Sequence, residues 1–219
     1  MNKIWERIFY VLSFIVQGSS YLNPRTYAIM HRMHHAYADT DKDPHSPNNY
    51  SNVFSMMWST AKFYHVINNG TLKVEERFLK NLPSWNSFEK LADTWVSRIF
   101  WGLVYVVFYY FFAPSAWWYL LLPVHFVMGP FHGVIINWFA HKHFYINFKL
   151  SNTSRNLLPI DILMLGESYH NNHHKFPSNI NFGSRWFELD PVYPFILLFN
   201  RMRIIRIRKV TEERVITEF

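Results

Sequence analysis

The feature that most constrains this fold is an uncharged, mostly apolar run from Ile99 to Phe139. These 41 residues contain no Asp, Glu, Lys or Arg. As a single helix the run would be roughly 60 Å long, about twice the thickness of a hydrocarbon core. The sequence therefore predicts a transmembrane hairpin that turns near Pro114-Ser115, with Arg98 and Lys142 at one end. The positive-inside rule makes that end cytoplasmic.

The composition agrees with a membrane protein. Aromatic residues make up 20% of the chain and charged residues only 17%, below the roughly one quarter that is usual in soluble domains. The net charge of +7 comes from basic residues that are scattered or flank apolar runs, so we predict no nucleic-acid binding. The chain has no cysteine, which excludes disulfides and thiolate metal sites. A basic stretch near the end fits contact with anionic headgroups: Arg201, Arg203, Arg206, Arg208 and Lys209.

Shorter helices are predicted around the hairpin. Residues 4–22 form an apolar helical stretch that is marginal for a span, which favours a helix lying in or against the membrane. Asn23-Pro24 interrupts this stretch, and a new helix can begin near Pro24. Further short helices are predicted over 52–67, 72–80 and 86–97. The predicted fold class is all-α integral membrane, with a transmembrane hairpin and interfacial helices in one domain, residues 1–219.

Two His-x-x-His-His motifs at opposite ends of the chain carry the chemistry. On a helix, positions i, i+3 and i+4 share one face, so each motif is predicted to point three imidazoles at one spot. The second span ends with Asn137 and His141, which also share a face. Seven imidazoles exceed one tetrahedral site, so the sequence predicts two metal ions, and all-nitrogen ligands suit iron, copper or zinc. The candidate ligands are His31, His34, His35, His141, His170, His173 and His174.

Other motifs carry less weight. His65, His125 and His132 are interpreted as packed or interfacial, and His45 either as a turn residue or as support for the first motif. The Asp-rich run over 39–43 lacks the glycine and terminal glutamate of an EF-hand, so it is interpreted as a turn. No P-loop, Rossmann or Gly-x-Ser-x-Gly motif occurs, so nucleotide-driven and hydrolase chemistry find no support.

The chain resembles the membrane fatty acid desaturases, and specifically the acyl-CoA (Δ9-type) branch. The resemblance rests on several blocks that follow the family's order and approximate spacing through most of the chain. As a combination they are far more specific than any single motif. These blocks are Gln17-Gly18-Ser19, His31 to His35, Asp39 to Ser46, Asn137 to His141 and Gly166 to Pro177.

The resemblance implies an all-α integral membrane enzyme in which a cytosolic helical cap carries the histidine boxes and two iron ions. It would be an oxidoreductase that uses O₂ and two external electrons. The implied reaction inserts a double bond into a saturated acyl chain on CoA, in unsaturated fatty acid biosynthesis. The seven histidines would be iron ligands, Asn137 would contact one iron through water, and Gln17 would line the bend of the acyl tunnel. A separate cytochrome b5-like or ferredoxin-like electron donor is implied. The active site would face the cytoplasm, in a bacterial inner membrane or the endoplasmic reticulum.

The sequence departs from this family pattern at two places. The family has an earlier His-x₄-His box and a first transmembrane hairpin, whereas no histidine precedes His31 here. We therefore predict an incomplete di-iron site and little desaturation by this chain alone. An in-frame apolar hairpin ending in His-x₄-His upstream of Met1 would support a truncated chain, and a stop codon there would count against it. Residues 27–30 lack the charge often placed before the box, so the acyl carrier stays open.

Two other functions stay open at this point. One is a related histidine-rich membrane hydroxylase or alkane oxygenase, which shares the metal chemistry but gives an alcohol instead of a double bond. The other is a non-catalytic, metal-binding remnant of a desaturase. About two irons per chain together with O₂ consumption would exclude the remnant.

Overall fold

The computed structural model describes residues 1–207, and within this range every regular element is helical. Arg208 and Lys209 of the predicted basic stretch lie outside the described residues. Short 3₁₀ turns cover Gly18–Ser20, Pro47–Asn49, Ala116–Leu121 and Phe139–His141. The α-helices are α1 (Lys3–Gln17), α2 (Pro24–Tyr37), α3 (Val53–Asn68), α4 (Glu76–Leu79), α5 (Asn86–Ala92), α6 (Trp95–Phe112), α7 (Leu122–Asn137), α8 (His170–Lys175) and α9 (Tyr193–Arg201).

The uncharged run forms the predicted transmembrane hairpin. Trp95–Phe112 and Ala116–His141 are both long and apolar enough to cross a bilayer, with mean hydropathies of 1.4 and 1.6. Within the apolar 18-residue window of each segment only 6% and 0% of the residues are buried in the protein, unlike the core hairpin of a soluble protein, which would be mostly buried. The two helices run antiparallel, because Tyr105 packs on His125 while Tyr109, one turn later, packs on Tyr119. The first residues of α6 and His141 therefore lie at the same end of the hairpin.

The segment Gly18–Ser20 joins the N-terminal helix to this hairpin. Ser20 donates from its hydroxyl to the carbonyls of His125 and Phe126 in α7, and Ser19 N–H donates to the Tyr105 hydroxyl of α6. A Cβ at Gly129 would lie 3.0 Å from the Ser20 carbonyl oxygen, so a glycine permits this close approach. The chain thus passes from α1 into α2 in close contact with both spans.

Helix α1 is amphipathic, as an interfacial helix should be. Its Tyr10 is buried and donates a 2.6 Å hydrogen bond to Glu89 of α5. The opposite face is apolar and exposed, and it comprises Ile4, Ile8, Val11, Leu12, Ile15 and Val16.

Helix α2 begins at Pro24, as predicted, with the Asn23 side chain accepting from Arg25 N–H as the N-cap. One face of α2 buries Ile29 and Met30 in a small core with residues of α3 and α4. The other face carries the first histidine motif. This packing fixes α2 through the face opposite the histidines, so its imidazoles can contact those of the second motif.

Two of the predicted short helices differ in extent. Only Glu76–Leu79 is helical within 72–80. The stretch 86–97 divides at Asp93, whose carboxylate accepts from Tyr64, Asn68 and Arg98. Arg98 also donates to the carbonyls of Ser19 and Tyr21. The break arises because these polar partners hold Asp93 at the C-terminus of α5, so α6 starts as a separate helix with Thr94 as its N-cap.

Candidate metal centre

The two histidine motifs meet, although 134 residues separate them along the chain. Helices α2 and α8 present the motifs to each other, and His141 approaches from the end of the second span. The seven candidate ligands fall into two clusters, each with its nitrogen atoms within 4.8 Å of one another. The four-histidine cluster comprises His34, His141, His170 and His174, and the three-histidine cluster comprises His31, His35 and His173.

The motifs are shared between the clusters, which differs from the prediction that each would point its three imidazoles at one spot. In an α-helix, residues i and i+4 lie about 40° apart around the axis, whereas i+3 lies about 100° from i+4. Accordingly, His31 and His35 enter one cluster while His34 enters the other. In α8 the pattern is reversed, because His170 and His174 enter the four-histidine cluster and His173 the other.

The spacing of the ring nitrogens fits bound metal ions. Two nitrogens bound to one ion at about 2.1 Å lie roughly 3.0–3.4 Å apart for bond angles of about 90–109°. In the three-histidine cluster the three Nε2–Nε2 distances are 3.1, 3.1 and 2.8 Å. In the four-histidine cluster, successive Nε2 atoms from His34 through His174 and His170 to His141 are 3.1, 3.0 and 3.0 Å apart.

Hydrogen bonding alone cannot satisfy the three-histidine cluster. In a neutral imidazole, Nε2 is either a donor or an acceptor. Of three mutually contacting Nε2 atoms at least two have the same role, so at least one pair sets two N–H groups or two lone pairs against each other. A shared cation removes this repulsion by accepting all three lone pairs.

Carboxylates and a hydroxyl orient the four-histidine cluster from outside. His34 Nδ1 lies 2.9 Å from both carboxylate oxygens of Asp43, whose side chain is fully buried. His141 Nδ1 lies 3.1 Å from the Thr153 hydroxyl, which in turn donates to Asp39 at 2.8 Å. A hydrogen bond at Nδ1 fixes the tautomer and leaves the Nε2 lone pair directed at a metal.

A buried polar network sets the position of α8. The Asn171 side chain accepts from the backbone N–H groups of Asn147 and Phe148 and donates to the carbonyls of Phe148 and Ser154. Asn172 donates to Glu188 at 2.8 Å. Both asparagines lie between the motif's histidines, so the residues that do not face the metal site hold the helix in place.

Burial favours the neutral, metal-binding form of five of these imidazoles. Burial, reinforced by the neighbouring histidines, lowers the pKa of His31 to about 3 and that of His35 to about 4. The pKa values of His170, His173 and His174 are also lowered, again mainly through burial.

These pKa shifts predict an acid-sensitive metal-free chain. Unfolded histidines titrate near pH 6.5, so below that pH the unfolded state takes up protons that His31 and His35 in the folded state do not. Stability is therefore full above about pH 6.5 and falls as the pH approaches 4. At pH 5.5 each of the two should cost on the order of 1 kcal/mol. Thermal unfolding in detergent with a chelator, at pH 7.5 and 5.5, measures this loss. If the stability of a His31→Gln/His35→Gln variant depended on pH as strongly as that of the parent chain, these two histidines would not be the source of the acid sensitivity.

The remaining candidates lie close by or elsewhere. Asn137 is the last residue of α7, one helical turn before His141, and its contact with a metal through water stays a prediction. The Gln17 side chain accepts from Leu22 N–H at 3.0 Å, and its tunnel role likewise stays a prediction. His45 is buried with its ring centroid 4.5 Å from that of His34, which fits support of the first motif. His125 is hydrogen-bonded to Tyr109 in the hairpin, and His65 is exposed on α3.

Sequence reasoning missed the supporting role of Asp39, Asp43 and Thr153. A signal existed for the two aspartates, because a carboxylate-rich turn directly after a histidine motif can reach the Nδ1 atoms of metal ligands. Its interpretation as a turn was correct for the backbone but incomplete for the side chains. Thr153 lies in an irregular segment, where no spacing rule connects it to His141.

Comparisons with known proteins give one consistent family. The family model described as fatty acid desaturase matches residues 1–206. The chain is 28% identical over 200 residues to the Delta-9 desaturase-like 5 protein of Arabidopsis thaliana, covering 87% of this chain and 60% of that protein. It is 26% identical over 215 residues to the Delta-9 acyl-lipid desaturase 2 of the same plant, covering 96% and 66%.

A relative from a second organism extends the same pattern. The chain is 26% identical over 205 residues to the sn-1 stearoyl-lipid 9-desaturase of Synechocystis sp., covering 84% of this chain and 55% of that protein. The chain thus spans about three fifths of the length of the curated relatives it matches. No solved structure gives a significant match.

Proposed function

The chain belongs to the fatty acid desaturase family, and we propose that it serves the O₂-dependent insertion of a double bond into a saturated acyl chain. The observation that supports this proposal is the pair of histidine clusters at one end of a membrane hairpin. An apolar acyl chain could reach such a site from the bilayer. The three-nitrogen contact in one cluster, which hydrogen bonds cannot satisfy, favours a bound cation there over a structural histidine core.

Two iron ions are the proposed cofactors. His34, His141, His170 and His174 would hold one ion, His31, His35 and His173 the other, and Asn137 would contact one of them through water. Bound iron would supply the O₂ activation and C–H oxidation that protein side chains cannot perform. The chain's own contribution is to bury these imidazoles, to fix the tautomers of His34 and His141 through Asp43 and Thr153, and to exclude water from the four-histidine cluster.

The acyl carrier is a second part of the proposal. The resemblance of the motifs implied acyl-CoA, whereas two of the relatives are named for acyl-lipid and stearoyl-lipid substrates. Substrate presented within the bilayer fits the exposed apolar surfaces of α1 and the hairpin. We therefore infer a lipid-bound acyl chain, and place Gln17 beside its path.

Electrons and orientation complete the proposal. The chain has no cysteine for an iron–sulfur cluster, so a separate cytochrome b5-like or ferredoxin-like donor would supply electrons. Arg98 and Lys142 lie at the end of the hairpin that carries His141. The positive-inside rule makes this end, and with it the metal centre, cytoplasmic.

Metal analysis and product analysis of the full chain test this function. We expect about two irons per chain after purification in detergent, with O₂ consumption when an electron donor and a stearoyl lipid are added. Mass spectrometry should give a product two mass units lighter than the substrate, with a double bond.

Other experimental results would assign a different function to the chain. A hydroxylated product would replace the desaturase with a hydroxylase. Bound iron without O₂ consumption would support the non-catalytic remnant. Desaturation of stearoyl-CoA but not of the lipid would restore the CoA-linked substrate. A chain without bound iron would overturn the proposed function as a whole.

A further inference from the structure

A buried carboxylate, that of Asp93, lies where the membrane hairpin and α2, the helix that carries the first histidine motif, come together. Asp93 is the C-cap of α5, and its side chain is 4% exposed. Its carboxylate accepts from the Tyr64 hydroxyl at 2.6 Å and from Asn68 Nδ2 at 2.9 Å, both in α3. It also forms an ion pair with Arg98 in the first turn of α6. A buried carboxylate with several donors holds its partners in one geometry.

The two partners of Asp93 in α3 reach the start of α2. The Tyr64 hydroxyl accepts from the backbone N–H of Asn23, the N-cap of α2, at 2.7 Å. Asn68 Oδ1 accepts from Asn23 Nδ2 at 3.0 Å and from the Thr26 hydroxyl at 2.8 Å. Burial and the adjacent carboxylate raise the pKa of Tyr64, so its hydroxyl keeps the proton that it donates to Asp93. Helix α2 is therefore anchored through its first turn.

The ion-pair partner Arg98 holds the segment that leads into α2. Its guanidinium donates to the carbonyls of Ser19 and Tyr21, each at 3.0 Å. The same segment is hydrogen-bonded to both membrane spans. A continuous set of hydrogen bonds centred on Asp93 thus connects the hairpin, the segment before α2 and the first turn of α2.

This connection bears on selectivity in the proposed function. Neighbouring methylene groups of an acyl chain are chemically almost identical, so an enzyme can select one carbon–carbon bond only through position. The acyl chain would enter from the bilayer along the hairpin, whereas α2 carries ligands of the metal centre. A misplacement of about 1 Å between reacting groups can cost on the order of 100-fold in rate. The link between the hairpin and α2 therefore controls which carbons lie at the metal centre.

From these observations we infer that Asp93 is a positioning residue, which fixes α2 relative to the hairpin and thereby sets the position of the double bond. The consequence for the double bond rests on the proposed function, whereas the position of α2 does not. The inference assigns selectivity to a carboxylate outside the metal centre, because the hydrogen-bond partners of Asp93 are Tyr64, Asn68 and Arg98 and not candidate ligands.

A distance measurement between spin labels tests the position of α2 without metal or catalysis. The chain has no cysteine, so Ala36→Cys in α2 and Tyr110→Cys in α6 provide two unique and exposed sites for nitroxide labels. Double electron–electron resonance on the full chain in lipid nanodiscs should give one narrow distance distribution. Asp93→Asn leaves the Arg98 guanidinium without its counter-ion. This substitution should shift or broaden the distribution by about 1 Å or more.

A milder pair of variants guards against misfolding of Asp93→Asn. Tyr64→Phe removes only the hydroxyl that joins Asp93 to Asn23, and it should also shift or broaden the distribution. Tyr50→Phe is the matched control, because it removes a hydroxyl that donates to Ser59 at 2.8 Å. The control should give the parent distribution. Equal distributions for the two tyrosine variants would contradict a link through Tyr64.

Product analysis tests the consequence for the double bond. With a stearoyl lipid, the parent chain should give one positional isomer, located by mass spectrometry of the derivatised double bond. Asp93→Asn and Tyr64→Phe should give a mixture of positional isomers at a rate lower by about 10- to 100-fold, with unchanged metal content. A purely structural role would reduce the amount of active protein and leave the double bond at the parent position.

The possible failures separate from one another. Parent-like distance distributions in both Asp93→Asn and Tyr64→Phe would overturn the inference, whatever the chain catalyses. A displaced α2 together with an unchanged double-bond position would overturn the role in selectivity. If the labels respond as expected but the parent chain desaturates no lipid, the proposed function and the selectivity both fail, and Asp93 is confirmed as the residue that fixes α2.

Discussion

Replacing His170 with alanine is expected to abolish tight metal binding in the four-histidine cluster. The Nε2 atom of His170 lies 3.0 Å from those of both His141 and His174, so this ring connects the span to α8. Loss of an outer hydrogen-bond partner typically costs about 10–100-fold in metal affinity, so loss of a ligand should cost at least 100-fold. Desaturation should fall below detection, because the proposed chemistry needs both ions.

Chelator competition on the purified chain measures this loss. His65→Ala is the matched control, because His65 is an exposed histidine on α3 outside both clusters. It should retain the parent affinity. His173→Ala provides the complement, since it should lose the ion of the three-histidine cluster while keeping the ion of the four-histidine cluster. Unchanged tight binding in His170→Ala would exclude this ring as a ligand and would require another arrangement of the site.

The hairpin and the clustering of the histidines could be predicted from sequence because both rest on strong local signals. A 41-residue run without a charged residue can fold in few ways other than as two membrane spans. The structure confirms the predicted pair of spans. The spacing of the histidines within the two motifs was sufficient to predict that the imidazoles cluster. Their order along the chain also indicated that α2, α8 and the end of α7 must converge.

The exchange of histidines between clusters was not accessible from sequence. Whether His34 and His31 belong to the same cluster depends on how α8 is oriented relative to α2. That orientation is set by the hydrogen-bond network around Asn171 and Glu188. These contacts link irregular segments whose pairing no periodicity reveals. The same holds for Asp39, which reaches Thr153 across 114 positions of sequence.

Asp161 is the second residue for which we expect a large effect. Its side chain is buried, and its carboxylate accepts from the backbone N–H groups of Met164, Gly166 and Ser168 at 2.8–2.9 Å. These bonds hold the turn that runs directly into the second histidine motif. Within that turn the apolar side chains of Ile162 and Leu163 point outward, so little packing replaces the carboxylate.

The Asp161→Asn substitution should destabilise the fold by about 3–5 kcal/mol, because charge-assisted hydrogen bonds weaken and an amide NH₂ faces a backbone N–H. Thermal unfolding in detergent measures this loss, and faster metal release should accompany it, since the turn ends at His170. Asp41→Asn makes the same chemical change at an exposed turn residue and should stay within about 0.5 kcal/mol of the parent. If both variants unfold at the parent temperature, the buried carboxylate does not fix the turn, and α8 must be positioned by its asparagine network alone.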